Sequence, residues 1–501
     1  MTAPERGPGA PTPPIGLAEP GRAEARIAAR RVEPDARLLA RLADACARVE
    51  TDPAVLGEAS RDWWPLAAYW AAEGRLPGRA AALARPGSAA EVAAVVSLCA
   101  EAEVPVTVAA GRSGVCGASV PLHGGVVLDL CDLSGIVDVD ATSLRVRVRP
   151  GTFGDRFEDA LQREHGLTCG HWPQSMALST VGGWVACRGA GQLSTRYGKI
   201  EDMVTGLEVV LADGRTIHTG GHPRAAAGPD LTQLFVGSEG TLGVVTEALL
   251  RVHPQPGHEG RAAYAFDSFA AGLDACRRIL RRGATPAVLR LYDVPEARRH
   301  GGPEGRHLLL VLDEGDPALV DAGLGVVREE CAGAEALEAE LVGRWLEHRF
   351  KVVPFAKLLE RGLVADTMEI SASWAALPGI YEKTVAAIGA VAGTVAVSAH
   401  QSHAYTDGAC LYFSFAGRPE PAAREAWYCA AWDAGTRAVL GAGGSLSHHH
   451  GVGINRGRFV GSALGVAHEV LAALKQTLDP RGILNPGKLG LPDPFGPVAW
   501  P

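Results

Sequence analysis

Three glycine-dense segments between positions 110 and 243 constrain the fold more than any other feature of this 501-residue chain. They are Ala110-Gly111-Arg112-Ser113-Gly114-Val115-Cys116-Gly117, Ser179-Thr180-Val181-Gly182-Gly183-Trp184-Val185-Ala186-Cys187-Arg188-Gly189-Ala190-Gly191 and Gly237-Ser238-Glu239-Gly240-Thr241-Leu242-Gly243. Glycine admits a left-handed backbone and close approach of other groups, and unobstructed N–H groups can converge on an anion. A single segment of this kind is an ordinary turn. Three in one domain point to a large ligand with a pyrophosphate and a planar ring system. The first segment follows the strand-like run Val104 to Ala109 but leads into Ala118 to Gly125, where Pro121 and Gly124 argue against a helix. A nicotinamide-binding Rossmann unit needs that helix, and the GxxxxGK[ST] phosphate loop is absent.

The chain is 47% hydrophobic and 21% charged, enough to bury a large core, and its length suggests two domains. Lys and Arg total 48 against 56 Asp and Glu, a formal charge of -8 with no basic stretch, which excludes nucleic acid as a partner class. Apolar runs such as Leu308 to Leu312 are too short to cross a bilayer, and no apolar signal core is visible near the N-terminus. The ten cysteines show no CxxC pair, so reduced, buried thiols in a cytoplasm are expected.

Segment by segment, residues 1–22 are rich in Pro, Gly and Ala and are expected to be mobile. A helical lead-in over 23–80 carries Trp63 and Trp64 as docking residues. Residues 81–256 read as a mixed α/β domain with a helix from Ala89, strands near Gly125 to Leu130 and Leu144 to Val148, a helix Phe153 to His165, and a hairpin turning at Ala212-Asp213-Gly214. Residues 257–440 alternate strand and helix as a second domain, and 441–501 form two helices and a turn-rich tail, Ile483-Leu484-Asn485-Pro486-Gly487, returning to the first.

Candidate chemistry lies in the second half. His448, His449 and His450 are consecutive, so their side chains point in different directions and one ion cannot easily take all three. Imidazoles can move protons near neutral pH or, when protonated, hold an oxyanion. Tyr412 sits in the alternating run Gly408 to Phe415, where it is either an aromatic core residue or a proton donor. Arg290 interrupts the apolar run Ala287 to Leu291, which is costly unless the cation is paired or faces a ligand.

The runs Gly170-His171 through Trp184, Tyr197-Gly198-Lys199-Ile200-Glu201-Asp202 and Gly228-Pro229-Asp230 through Gly243 resemble the PCMH-type FAD-binding domain of the vanillyl-alcohol oxidase superfamily. Ser445-Leu446-Ser447-His448-His449-His450-Gly451-Val452-Gly453 resembles the alkyldihydroxyacetonephosphate synthase family in particular. The resemblance covers roughly residues 80 to 490 and implies an α+β fold. That fold comprises a PCMH-type FAD-binding domain of two α/β subdomains, an α+β cap domain over the isoalloxazine, and a C-terminal helical segment. It implies non-covalent FAD, although Cys116 lies in the first loop. Ala110, Gly111, Arg112, Ser113, Gly114, Val115, Cys116 and Gly117, with Ser179, Thr180, Gly182, Gly183, Trp184, Cys187 and Arg188, are expected to hold the pyrophosphate. Glu239, Gly240, Thr241 and Leu242 are placed by the resemblance near the adenine end or the ring edge. It makes Tyr412 the catalytic acid and base, with His448, His449, His450 and Arg290 in the active site and no metal.

The implied reaction exchanges an acyl group of a dihydroxyacetone phosphate ester for a long-chain alcohol through a flavin N5 adduct. Departures weaken the phosphate: family arginines are replaced by His400 and Phe355, with Lys357 and Arg361 as nearby substitutes. The competing reading is a D-2-hydroxy acid dehydrogenase or alcohol oxidase transferring hydride to flavin N5. The metal-binding HxGDGNxH segment of that branch is missing, and its EHG segment reads His449-His450-Gly451. The expected partners are a small-molecule or lipid-like substrate, peripheral membrane contact at most, and a second copy of the chain in a homodimer.

Overall fold

The computed structural model describes residues 9–352 and 355–500. Two sheets build the first half. A four-stranded sheet runs in the order Arg48–Glu50, Ala82–Arg85, Val126–Asp129, Val106–Ala109, its last three strands parallel. Its central strands are apolar on both faces because helices cover both, and Val92, Val95, Val96 and Cys99 of the helix Ala89–Glu101 are fully buried there. Ser88 starts that helix by accepting a hydrogen bond from the Glu91 N–H at 3.3 Å. The turn-rich tail continues the sheet edge: Val106 donates to Ile483 O and Asn485 to Val106 O, both at 2.8 Å.

A five-stranded antiparallel sheet follows, in the order Thr216–Gly220, Val204–Val210, Val244–Arg251, Arg145–Val148, Ile136–Asp140. The hairpin turn at Gly214, with φ +82°, presses against the helix Ala89–Glu101, and a side chain there would collide with Ser97. Phe157 and Leu161 of the helix Gly154–His165 share this core with Trp184 and Val185.

The second half is one seven-stranded antiparallel sheet, ordered Glu335–Leu337, His258–Phe266, His307–Gly315, Val288–Tyr292, Thr394–Ala404, Gly408–Gly417, Val364–Ser373. Leu411, Phe413 and Phe415 of the strand Gly408–Gly417 join a core with residues of the helices Phe269–Arg281, Leu377–Gly389 and Arg424–Gly441. The alternate residues of that strand face the opposite way. Glu369 pairs with Tyr412 and Tyr412 with His400, while His400 pairs with Tyr292 on the next strand, so this polar row crosses four strands on one face.

Two expectations change. The mobile lead expected over 1–22 holds no longer for its described part: Ile15 and Leu17 are buried, Arg61 donates to Ile15 O and Trp63 to Thr12 O, both at 2.6 Å. Two apolar anchors and side-chain donors to the backbone suffice to fix a Pro-rich segment; residues 1–8 lie outside the described residues. The lead-in is not purely helical either. Between the helices Ala36–Ala45, Pro53–Ala59 and Pro65–Ala72 it inserts Arg48–Glu50 into the first sheet, and fully buried Trp64 donates to Tyr428 Oη of the second half at 3.1 Å.

Candidate active site

Glu369 organises the polar face. Its Oε1 accepts three successive backbone N–H groups, from His448 at 3.1 Å, His449 at 3.0 Å and His450 at 2.8 Å, and the Ser447 hydroxyl at 2.7 Å. Its Oε2 receives the guanidinium of Arg456, and neither side chain has any exposed surface. Burial opposes ionisation of Glu369, but Arg456 and then His450 outweigh it and hold the carboxyl well below its usual range. His450 Nδ1 lies 3.2 Å from Oε2, close enough for attraction but without hydrogen-bond alignment.

The histidine loop is also tied to the first half. Glu239 Oε1 accepts from Val452 N at 2.5 Å and Oε2 from Gly453 N at 2.9 Å. Gly451, with φ +77°, stands so close to Glu239 that a side chain would strike its carboxylate. Lys199 donates to His448 O at 2.7 Å and lies 3.1 Å from Glu201.

These constraints bring the imidazoles together. His448 Nδ1 is 2.9 Å from His449 Nδ1, and His448 Nε2 is 3.0 Å from Tyr405 Oη. His403, which the spacing of the triplet did not bring into view, joins them: its ring lies 5.1 Å from that of His448 and 5.0 Å from that of His449, and its Nδ1 is 2.7 Å from Ser194 Oγ. Burial holds His403, His448 and His449 well below their ordinary pKa, so they are neutral at pH 7 and do not offer the positive charge for an oxyanion considered above.

Tyr412 lies against this cluster, 6.0 Å from the His449 ring and 5.5 Å from the His450 ring, with its hydroxyl 3.0 Å from Thr367 Oγ1. Burial pushes its phenol well above the usual range, so it remains a protonated donor. His400 stacks on the other side of Tyr412 at 4.9 Å. His400 does not act as a guanidinium fork would. Its Nδ1 is 2.7 Å from Glu296 Oε2 and its Nε2 is 2.6 Å from Arg290 Nη2, so the carboxylate fixes the tautomer and the ring positions the guanidinium. Glu296, although buried, is pulled down to about 2 by His400 and Ser414.

The second family position is filled by buried Phe355, packed edge-on to Tyr69 at 6.1 Å, while Lys357 and Arg361 are exposed. A different guanidinium, Arg349, lies 6.0 Å from the Trp345 ring, whose distance from Arg290 is 5.8 Å. Sequence reasoning missed Glu369, Arg456, His403, Tyr405, Glu296 and Arg349 as site residues. Glu369 opens the run Glu369-Ile370-Ser371-Ala372-Ser373-Trp374, where a carboxylate in an otherwise apolar and small-residue strand was the available signal; the others come together only across distant strands.

The glycine segments fit FAD unequally. Gly111 packs so tightly on Leu178 O that only glycine is tolerated, which joins the first loop to the second segment. The backbone N–H groups of Arg112, Ser113, Gly114 and Val115 donate to no acceptor among the described residues, and a methyl group at Gly114 would meet only Asp62 Oδ2, at 3.8 Å. That is a cradle suited to a pyrophosphate. In the second segment the N–H groups of Val181, Gly182, Gly183 and Trp184 already donate to Thr152 O, Pro150 O, Thr180 Oγ1 and Thr180 O, so these four donors are engaged within the protein. Cys187 Sγ bonds Trp184 O at 3.7 Å, and Arg188 turns outward to Glu201. The Glu239 carboxylate bonds the histidine loop, because its left-handed backbone aims it there; Thr241 bonds Ser238 O, Gly240 packs on Val108, and Leu242 joins the core. Buried polar atoms without partners include Asp62 Oδ2, both nitrogens of His171 and the side-chain amide of Asn455.

Residues 80–220 match the family described as FAD binding domain, and residues 255–489 match FAD linked oxidases, C-terminal domain. The chain is 31% identical over 406 residues to the uncharacterised FAD-linked oxidoreductase YgcU of Escherichia coli, covering 77% of this chain and 83% of the relative. It is 30% identical over 443 residues to alkyldihydroxyacetonephosphate synthase of Dictyostelium discoideum, covering 81% and 72%. It is 27% identical over 430 residues to glycolate oxidase subunit GlcD of Bacillus subtilis, covering 81% and 88%. A solved alkyldihydroxyacetonephosphate synthase superposes with a TM-score of 0.76 at 24% identity, covering 97% of this chain and 89% of that one, and so shares the fold. No helix among the described residues is long and apolar enough to cross a membrane. With the matched domains, the free donors of the first glycine loop and a flavin-family histidine loop in place, the chain belongs to the FAD-linked oxidase family of PCMH-type flavoenzymes and takes FAD as its cofactor.

Proposed function

We propose that the protein oxidises a hydroxyl-bearing carbon of a small or lipid-like substrate that carries a single anionic group. The observation that carries this reading is Arg290. No carboxylate lies within ion-pair distance of it among the described residues, and His400 holds its guanidinium beside Tyr412 and a cluster of neutral imidazoles. One fixed fork matches one carboxylate or similar anion. FAD, when bound, supplies the two-electron acceptor for the hydride. The neutral imidazoles take the hydroxyl proton, and the Tyr412 phenol donates a hydrogen bond to the same oxygen. Cofactor attachment is read as non-covalent, since burial pushes the Cys116 thiol well above its ordinary range and leaves no thiolate. Acid precipitation should then leave the flavin in the supernatant. The protein is read as a cytoplasmic homodimer, a state that light scattering checks.

A second reading, acyl-for-alkoxy exchange of the synthase kind, is favoured by Arg349, which shares Trp345 with Arg290 and offers another guanidinium for a phosphate. Anaerobic mixing separates the two. Bleaching of the flavin by D-2-hydroxy acids or alcohols supports oxidation; conversion of an acyl dihydroxyacetone phosphate plus long-chain alcohol, without net flavin reduction and with no bleaching by the first panel, overturns it.

A further inference from the structure

We infer that Trp432, Tyr428, Trp64 and Trp70 form a path for single electrons between the active site and the surface, with Asp366 and Glu425 accepting the protons that move with them. Trp432 starts the path, since the Arg456 guanidinium that pairs with Glu369 lies 5.1 Å from its ring. The Tyr428 ring follows at 6.4 Å, and the Tyr428 hydroxyl accepts from Trp64 Nε1 at 3.1 Å. Trp64 also packs on the first glycine loop, where a methyl group on Gly117 would stand 3.1 Å from its ring. Trp70 is edge-on to Trp64 at 5.3 Å and lines a surface cavity with Leu66, Tyr69 and Glu425. All four side chains belong to residues no more than 2% exposed, so water does not interrupt the row of rings.

Packing of aromatic rings does not by itself account for the carboxylates beside them. Asp366 Oδ2 accepts from Tyr428 Oη at 2.5 Å and from Trp432 Nε1 at 2.9 Å, and no cation forms an ion pair with Asp366 among the described residues. Burial pushes its pKa up to about 6 against these donors and the Thr367 N–H, so it is ionised at neutral pH. A neutral amide oxygen would satisfy both donors at a smaller desolvation cost. What the charge adds is a base, placed where oxidation of Tyr428 or Trp432 releases a proton. Trp70 has the same arrangement, its Nε1 donating to Glu425 Oε2 at 2.8 Å. A phenol or indole whose proton can pass to a hydrogen-bonded carboxylate gives up an electron more readily, because no uncompensated positive charge stays in the low-dielectric interior.

The path carries an electron inward to a one-electron oxidant of the oxygen-derived radical class formed at the active site, and the electron comes from a thiolate in solution. The oxidant takes one electron from Trp432. Tyr428 refills Trp432 while the phenolic proton passes to Asp366. Trp64 then gives Tyr428 an electron, and Asp366 returns the proton. Trp70 gives an electron to Trp64 while its indole proton moves to Glu425. The thiolate, reaching the cavity, returns the electron to Trp70 and becomes a thiyl radical, and Glu425 returns the proton. One electron has crossed from thiolate to oxidant, and every side chain is as it began. The path thereby draws radical damage away from the active-site residues. It is separate from the two-electron reaction proposed above and needs none of its substrates.

The test uses FAD-loaded protein under anaerobic conditions and a flash of blue light, with the excited flavin serving as the one-electron oxidant. Wild type should show a long-lived neutral tryptophan radical by transient absorption and electron paramagnetic resonance, and added thiol should quench it. Trp64→Phe and Trp70→Phe should lose that radical. Glu425→Gln keeps a hydrogen-bond acceptor for Trp70 but removes the base, so the radical should change from neutral to cationic. Trp63→Phe, off the path, should change nothing. FAD content and thermal melting show which variants are folded; if the Trp64 and Trp70 variants are not, Glu425→Gln decides. Absence of the radical in wild type, failure of thiol to quench it, or a signal unchanged in folded Trp64→Phe or in Glu425→Gln overturns the path.

Discussion

The Glu369 carboxylate and the Arg456 guanidinium form an ion pair with no solvent-exposed atom in either side chain, and the same carboxylate caps three successive N–H groups of the histidine loop. The pair thus joins the strand Val364–Ser373 to the loop that carries the active-site imidazoles. Removing one partner from a buried pair leaves an uncompensated charge and costs about 3–5 kcal/mol.

Glu369→Gln is therefore expected to lose stability of about 3–5 kcal/mol. The midpoint of urea unfolding measures it. A double variant, Glu369→Gln with Arg456→Met, should recover part of the loss, because no bare cation remains buried. Equal stability of wild type and Glu369→Gln would show that the loop is held by other contacts.

Tyr412→Phe keeps the ring between His400 and His449 and deletes only the hydroxyl. Turnover should fall roughly 10²–10⁴-fold, the usual consequence of losing a positioned proton donor. The flavin spectrum and FAD content should be unchanged. A variant that turns over like wild type would make Tyr412 a packing residue.

Glu296 controls a pH window. The folded carboxyl keeps its charge down to about 2, whereas an ordinary one titrates near 4.5, so its contribution is complete above pH 4.5 and disappears as pH falls from 4.5 to about 2. Glu296→Gln should be less stable than wild type at pH 7 and should show a smaller further loss across that acid window. Because a neutral amide replaces the carboxylate that accepts from His400 Nδ1, that hydrogen bond weakens and Arg290 should also loosen. KM for an anionic substrate is then expected to rise more than kcat falls.

Gly114→Ala tests the cradle. A methyl group there meets nothing closer than 3.8 Å within the protein, so folding should be unaffected. It would intrude on the open space beside the free N–H groups, and an overpacked contact of about 1–3 kcal/mol corresponds to FAD binding weaker by roughly tenfold or more. Reconstitution of apoprotein followed by flavin fluorescence reads this directly; undiminished affinity would move the pyrophosphate elsewhere.

The family and much of the fold were legible in the sequence. Glycine loops, turn residues and the period-two pattern around Tyr412 act through local backbone geometry, so their consequences can be read along the chain. The helix from Ala89 and the strands around Val106, Val126 and Arg145 follow from the same local rules. What only the tertiary structure decided is which distant groups share a buried volume. His403 meets His448 and His449 because a bulge turns it inward; the Glu239 carboxylate reaches the histidine loop because its left-handed backbone aims it there; and Ile15 and Leu17 anchor a segment whose composition read as mobile. Charge was the least legible property of all. Whether an imidazole is neutral or a carboxyl ionised depends on desolvation and on partners brought from other strands, and neither burial nor cross-strand proximity is written in the order of residues.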